Sequence, residues 1–139
     1  MVRSIGTIWW MNSLLKLSEH AEQSAVIMWA RMMEGKYPEL RWLHSSLNGI
    51  VIPATVAVRA KIINHMKAEG MKRGVPDLFL PVARRGFHGL FIEMKIIGGV
   101  LSEEQKEFLA FAAEQHYLDK VCYNADEATE TLEWYLERN

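Results

Sequence analysis

The stretch Gly74–Lys95, GVPDLFLPVARRGFHGLFIEMK, reads as two short hydrophobic strands joined by a basic turn. Side chains alternate along a strand, so Phe91, Glu93 and Lys95 share one face while Ile92, Met94 and Ile96 take the other. Asp77 precedes Leu78 on the first strand, so its carboxylate can face Glu93 if the two strands are neighbours. Both acids interrupt otherwise apolar runs, and a carboxylate beside an ammonium on a central strand is costly to bury without partners. Two converging carboxylates near a lysine make an oxygen-rich site for a hard divalent ion, Mg²⁺ or Mn²⁺. Such an ion would let Asp77 and Glu93 both stay ionised. The plainer reading is a surface Glu–Lys pair with a strand-start aspartate in a turn.

Outward from this stretch, elements are marked by their punctuation. Ser18 is a candidate N-cap for a helix to about Glu34, with Gly35 and Pro38 as stops. Glu19, Glu22, Gln23, Val26, Trp29, Ala30 and Met33 fall on one face of it. The first-turn acids either reach the edge of a polar site or simply complement the helix dipole. Leu40–Ser46 reads as a strand, and Pro53 as the first residue of a second helix to about Glu69, with Gly70 as its stop. In that helix Val56, Ile62, Ile63 and Met66 can pack, leaving Arg59, Lys61 and Lys67 for solvent or ligand. After Lys95, Ser102 and Gln105 form a capping-box sequence opening a helix to about Gln115. Tyr117–Tyr123 is a further strand, and Asn124 with Glu127 a second capping box before the last helix. The order predicts one α/β domain, a mixed sheet covered by helices, over residues 18–139. Residues 1–17 are left as an apolar arm or first strand that packs on something, a candidate dimer element.

At 139 residues the chain suits a single domain, and its 24% charged residues are ordinary for a globular protein. No apolar run approaches the length of a membrane span, and the single cysteine, Cys122, suits a reducing compartment such as the cytoplasm. The net charge of −1 hides an asymmetry. Residues 59–95 carry eight bases against three acids, and residues 103–139 ten acids against three bases. A basic middle beside an acidic tail is expected where one face meets a polyanion. Walker or dinucleotide phosphate loops, a nucleophile elbow and zinc-type Cys/His spacing are all absent from the sequence.

These residues carry a resemblance. Pro76-Asp77 followed by Glu93-Met94-Lys95 resembles the PD-(D/E)xK nuclease signature. More specifically, RGVPDLFLP (Arg73–Pro81), GLFIEMK (Gly89–Lys95) and GVLSEEQKEFL (Gly99–Leu109) resemble the VRR-NUC branch of that superfamily. SEHAEQ (Ser18–Gln23) and HSSLNG (His44–Gly49) fit its small stand-alone, phage-type members. The resemblance implies a restriction-endonuclease-like core and a Mg²⁺- or Mn²⁺-dependent endonuclease acting on branched DNA such as Holliday junctions. A stand-alone domain this small is expected to act as a homodimer, because cutting two strands of a junction symmetrically needs two sites. The resemblance also implies that Asp77, Glu93 and the main-chain carbonyl of Met94 bind the metal, and that Glu19, or its rival Glu22, completes the acidic cluster through water. Lys95 would orient or deprotonate the attacking water. Gln105 matches the family's glutamine after the second active strand, beside its capping role. Lys61, Lys67, Lys72, Arg73, Arg84 and Arg85 are the candidate DNA contacts. If phage-encoded, the protein would work in the host cytoplasm. Other readings are a non-catalytic DNA-binding module of the same fold and a nuclease or nickase on linear duplex.

Overall fold

The computed structural model describes residues 5–48, 50 and 52–137, with side chains from residue 18 onward. The described residues form four helices, α1 (Ile5–Met32), α2 (Val56–Ala68), α3 (Glu103–Glu114) and α4 (Ala125–Leu136), and a sheet of β1 (His44–Ser45), β2 (Leu78–Leu80), β3 (Leu90–Met94) and β4 (Leu118–Cys122), on which α1, α3 and α4 pack. The strands lie in the order β1-β2-β3-β4, antiparallel except for the parallel pair β3–β4. The parallel step needs a crossover, and α3 supplies it. This is the α/β, restriction-endonuclease-like core expected, a mixed sheet flanked by helices. Among the described residues no helix is long and apolar enough to cross a membrane.

Alternation along β2 and β3 builds two different faces. Leu78, Leu80, Leu90, Ile92 and Met94 are fully buried, together with Val26 and Ala30 of α1 and Ala128, Leu132 and Tyr135 of α4. The Tyr135 hydroxyl donates to the Val82 carbonyl at 2.6 Å, so this core closes without leaving that phenol unpaired. On the opposite face Phe79 stacks on its cross-strand partner Phe91 at 4.4 Å, and Phe108 of α3 meets Phe91 edge-on at 5.2 Å. Gly89 makes room for this stack, since a Cβ there would lie 2.9 Å from the Phe79 ring. Register is thereby fixed, and with it the face on which the acids stand.

Several boundaries differ from those expected. Helix α1 runs through Ser18 rather than starting there, and it takes in residues 5–17. No proline interrupts that run, and an exposed serine is tolerated inside a helix. Between Pro38 and Trp42 the chain forms a 3-10 helix, so only His44 and Ser45 of the anticipated strand are extended. Tyr37, Leu40 and Leu43 are all buried, a three-residue period that suits a 3-10 turn and not a strand. Thr55, not Pro53, opens α2, its hydroxyl accepting from Val58 N–H.

The expected packing of α2 is also not found: the helix has no buried residue, and Val56 is 81% exposed. Its apolar arc is interrupted by Arg59, whose guanidinium donates to the carbonyls of Ile52 and Ala54 in the preceding loop. In α4, Asn124 caps as expected, but Glu127 reaches back to the N–H of Tyr123 and does not close a box on Asn124.

Candidate active site

Asp77 is the residue before β2, and its own carbonyl accepts from Ser46 N–H, which ties it to the end of β1. Its Oδ2 accepts the main-chain N–H of Met94 at 2.7 Å. Lys95 donates its N–H to Cys122 on the β4 side, so peptide direction alternates and the Met94 carbonyl turns with its N–H toward Asp77. Glu93 is only 3% exposed. Its Oε1 accepts from Gln105 Nε2 at 2.6 Å and stands 3.7 Å from Lys95 Nζ.

Gln105 both caps α3 and reaches Glu93. Its Oε1 accepts Ser102 N–H at 2.8 Å and its backbone N–H donates to Ser102 Oγ at 3.1 Å, closing the capping box of α3. The amide nitrogen is left over for Glu93. A glutamate would cap equally well, but it would set a third carboxylate against Glu93 with no proton to offer.

Helix α1 divides its two candidate acids between different tasks. Glu19 lines a cleft of about 220 Å³ with Asp77, Glu93, Lys95 and Gln105. Glu22 is turned away, accepting Ala125 N–H at 2.6 Å in the first turn of α4. Asn48 and Gly74 also line the cleft, although the sequence offered no site role for either. Asn48 Nδ2 donates to the carbonyls of Lys72 and Val75, each at 2.8 Å, fixing the loop that delivers Asp77. Gly74 has φ +88° and passes so close to α3 that a Cβ would lie 2.4 Å from the Glu104 carbonyl oxygen. The signals for them were faint: an Asn before a Gly, and a Gly two residues ahead of Pro76.

The electrostatics are unbalanced. Burial raises the Glu93 carboxyl to about 8, helped by the neighbouring Asp77 charge and only partly opposed by Lys95. Burial also raises Asp77, while the Met94 N–H holds it down. Three acids thus face one ammonium in a partly enclosed cleft, a charge deficit that a divalent cation fits. Among the described residues no three His, Cys, Asp or Glu side chains already form a metal-holding group. The donors that Asp77, Glu93 and Met94 could offer are two carboxylates and one carbonyl. Such a set suits an ion that keeps several waters, as Mg²⁺ does.

The candidate DNA contacts separate into two groups. Lys61, Lys67, Lys72 and Arg73 are exposed, the last two on the loop held by Asn48. Arg84 and Arg85 do not join them. Their turn follows Leu80 and precedes Leu90, at the end of the hairpin opposite Asp77 and Glu93. Arg84 pairs with Glu39 at 2.6 Å, and Arg85 donates to the Trp134 carbonyl at 2.8 Å with its guanidinium 4.2 Å from that indole. These two arginines pin the turn to the body of the protein.

A hairpin that carries Asp77 and Glu-x-Lys, crossed by a capped helix that returns an amide to the acid, defines a nuclease-like domain of the restriction-endonuclease class. The VRR-NUC domain profile matches residues 17–126, and the chain belongs to that family. A solved structure described as "VRR_NUC domain protein" is similar at 26% identity with a TM-score of 0.65, over 85% of this chain and 87% of that one. No curated protein matches the chain.

Two predictions follow from the geometry of this cleft. Glu22→Gln should lower stability by about 1 kcal/mol through the lost charge-assisted cap of α4, leaving Mn²⁺ affinity intact. Glu19→Gln should weaken Mn²⁺ binding without that loss. Urea unfolding and calorimetric titration read the two effects, and equal behaviour of the two variants would contradict the division.

The second concerns pH. Between the ordinary Glu value of 4.5 and about 8, the folded protein holds a proton on Glu93 that the unfolded chain releases. Stability of the metal-free protein should therefore fall as pH rises through that window. Glu93→Gln should flatten the slope, and Mg²⁺ should raise Tm most at its upper end. A metal-free Tm that climbs across the window would refute the raised carboxyl.

Proposed function

We propose that the protein is a Mg²⁺- or Mn²⁺-dependent, structure-specific DNA endonuclease that hydrolyses phosphodiester bonds, with branched DNA such as Holliday junctions as its substrate. The observation that carries this reading is the convergence of Asp77, Glu93 and Lys95 in one cleft with a buried excess of negative charge. A protein that only bound DNA would gain nothing from burying two carboxylates where a phosphate must approach.

On this reading Asp77, Glu93 and the Met94 carbonyl hold the ion, and Glu19 completes the acidic ring at one water's remove. The bound ion would act as a Lewis acid on the phosphate and lower the pKa of a water. Gln105 holds Glu93 in one rotamer by its 2.6 Å bond, so the acid presents its remaining lone pairs to the cleft. Lys95 orients the attacking water through its ammonium protons and offsets the charge that builds on the nonbridging oxygens. Gly74 and Asn48 keep the Lys72–Val75 loop against the cleft, which sets two cations, Lys72 and Arg73, beside the path of the phosphate backbone. Lys61 and Lys67 on α2 extend that basic side.

Two copies of such a domain suit a junction cut on two strands, and residues 1–17 remain the candidate dimer element. The working form is thus a homodimer, in the cytoplasm.

Glu93→Ala and Lys95→Ala should each abolish cleavage of a labelled four-way junction, a loss on the order of a hundredfold or more, while keeping the circular-dichroism spectrum of the wild type. Robust Mg²⁺-dependent cleavage by either variant would end the assignment. Sedimentation at micromolar concentration should give a dimer mass, and a monomer there would remove the two-site arrangement.

A further inference from the structure

The loop that follows the cleft lysine is apolar where a solvent loop would ordinarily be polar. Ile97 is 88% and Val100 78% exposed. Single aliphatic residues scattered over a surface are unremarkable, but these two stand on one tight turn between Lys95, which lines the cleft, and Ser102, which caps α3. Gly98 adopts φ +86°, and Gly99 donates its N–H to the Ile96 carbonyl at 2.8 Å. A Cβ on Gly99 would lie 3.4 Å from Lys95 Cδ, so the turn rests on the stem of the lysine itself. At its other end the loop runs into Ser102, which caps α3 and is bonded to Gln105. The apolar tip is therefore built into the same frame as the acid and the lysine. A second aliphatic tip, Leu47, precedes Asn48 in the cleft wall; it is 56% exposed and held at φ 62°, a conformation that costs a bulky residue energy.

We propose that Ile97 and Val100 form a wedge that seats against an open nucleobase face at a break or branch in a DNA duplex, and that this contact selects such DNA for the cleft. The inference rests on the nuclease reading above. A continuous duplex presents stacked pairs, and inserting an aliphatic side chain between them costs a few kcal/mol of unstacking per step. A branch point or strand end offers the base face already uncovered, so the same contact forms without that cost. The exposed cations Lys72 and Arg73, on the loop that runs into the cleft-lining Gly74 and Val75, favour a polyanion as occupant over an apolar protein surface.

The test pairs Ile97→Ser/Val100→Ser with Ile97→Leu/Val100→Leu, both at exposed positions, after Tm has shown each to be folded. The probes are a splayed-arm DNA and a continuous duplex of the same sequence, with 2-aminopurine at the branch base. Binding is read by fluorescence in Ca²⁺ and cleavage by gel in Mg²⁺. The wild type should brighten 2-aminopurine in the splayed arm and cut that DNA in preference to the duplex. The serine variant should lose the brightening, and its ratio of cleavage rates should fall on the order of tenfold, while the leucine variant keeps both.

A serine variant that retains brightening and preference overturns the wedge while leaving the nuclease reading intact. A serine variant whose mass falls from dimer to monomer overturns it too, by assigning the tip to a contact between copies. Wild-type protein that cuts none of these DNAs removes the nuclease reading, and the wedge with it.

Discussion

Two carboxylates cannot be held side by side and largely buried unless the surrounding fold compensates their charge, and much of this structure answers that requirement. Glu93 receives an amide proton from Gln105 and has the Lys95 ammonium 3.7 Å away. Asp77 receives a main-chain N–H from the same strand that carries Glu93. The Met94 N–H reaches Asp77 only once the hairpin has formed, and the Gln105 amide reaches Glu93 only once α3 has packed on it. The compensation is still incomplete, as the raised Glu93 carboxyl shows. Incomplete neutralisation destabilises the isolated fold and is also what gives a site affinity for a cation. A perfectly balanced cluster would fold better and hold no ion.

The two faces of β3 explain how so small a domain carries this load. Leu90, Ile92 and Met94 are sealed against α1 and α4, while Phe91 locks onto Phe79 and Phe108 on the other side. The acids are the continuation of the second face, one pleat beyond the aromatic stack. A register slip by a single residue would exchange the faces, driving Glu93 into the aliphatic core. Aromatic stacking thus specifies the site indirectly, by making only one register affordable.

How much of this was legible in the sequence follows from the range of the interactions involved. Gly74–Lys95 could be read because strand alternation is a local rule, and the Ser102–Gln105 box because its partners are three residues apart. The α1 face could be read from helical spacing, yet the choice between Glu19 and Glu22 could not, because the partner that claims Glu22 is Ala125, 103 residues away. Arg84 and Arg85 looked free for the same reason: Glu39 and Trp134 lie in distant parts of the chain. Ser18 misled because a capping residue is also tolerated inside a helix. The 3-10 segment was misread as a strand although the spacing of Tyr37, Leu40 and Leu43 was visible, since three residues of one period can be matched by chance. For α2 the error was to infer burial from apolar content while Arg59 occupied the same arc.

The distribution of cations carries the argument one step further. With Arg84 and Arg85 committed to structure, the exposed bases named for DNA lie on α2 and on the loop that Asn48 holds against the cleft. Glu19 and Asp77, joined by Glu93 once it has lost its proton, would repel a phosphate arriving there alone, and Lys95 is too closely drawn to Glu93 to reverse that sign by itself. On the proposed reading, a divalent ion is therefore needed for the backbone to enter the cleft as well as for chemistry once it has entered. DNA could first be gathered by Lys61, Lys67, Lys72 and Arg73 in a contact that depends on salt and not on the ion. Entry into the cleft would then be the step that the ion controls. Recognition and hydrolysis are in this way coupled through one charge deficit, without any separate recognition domain among the described residues.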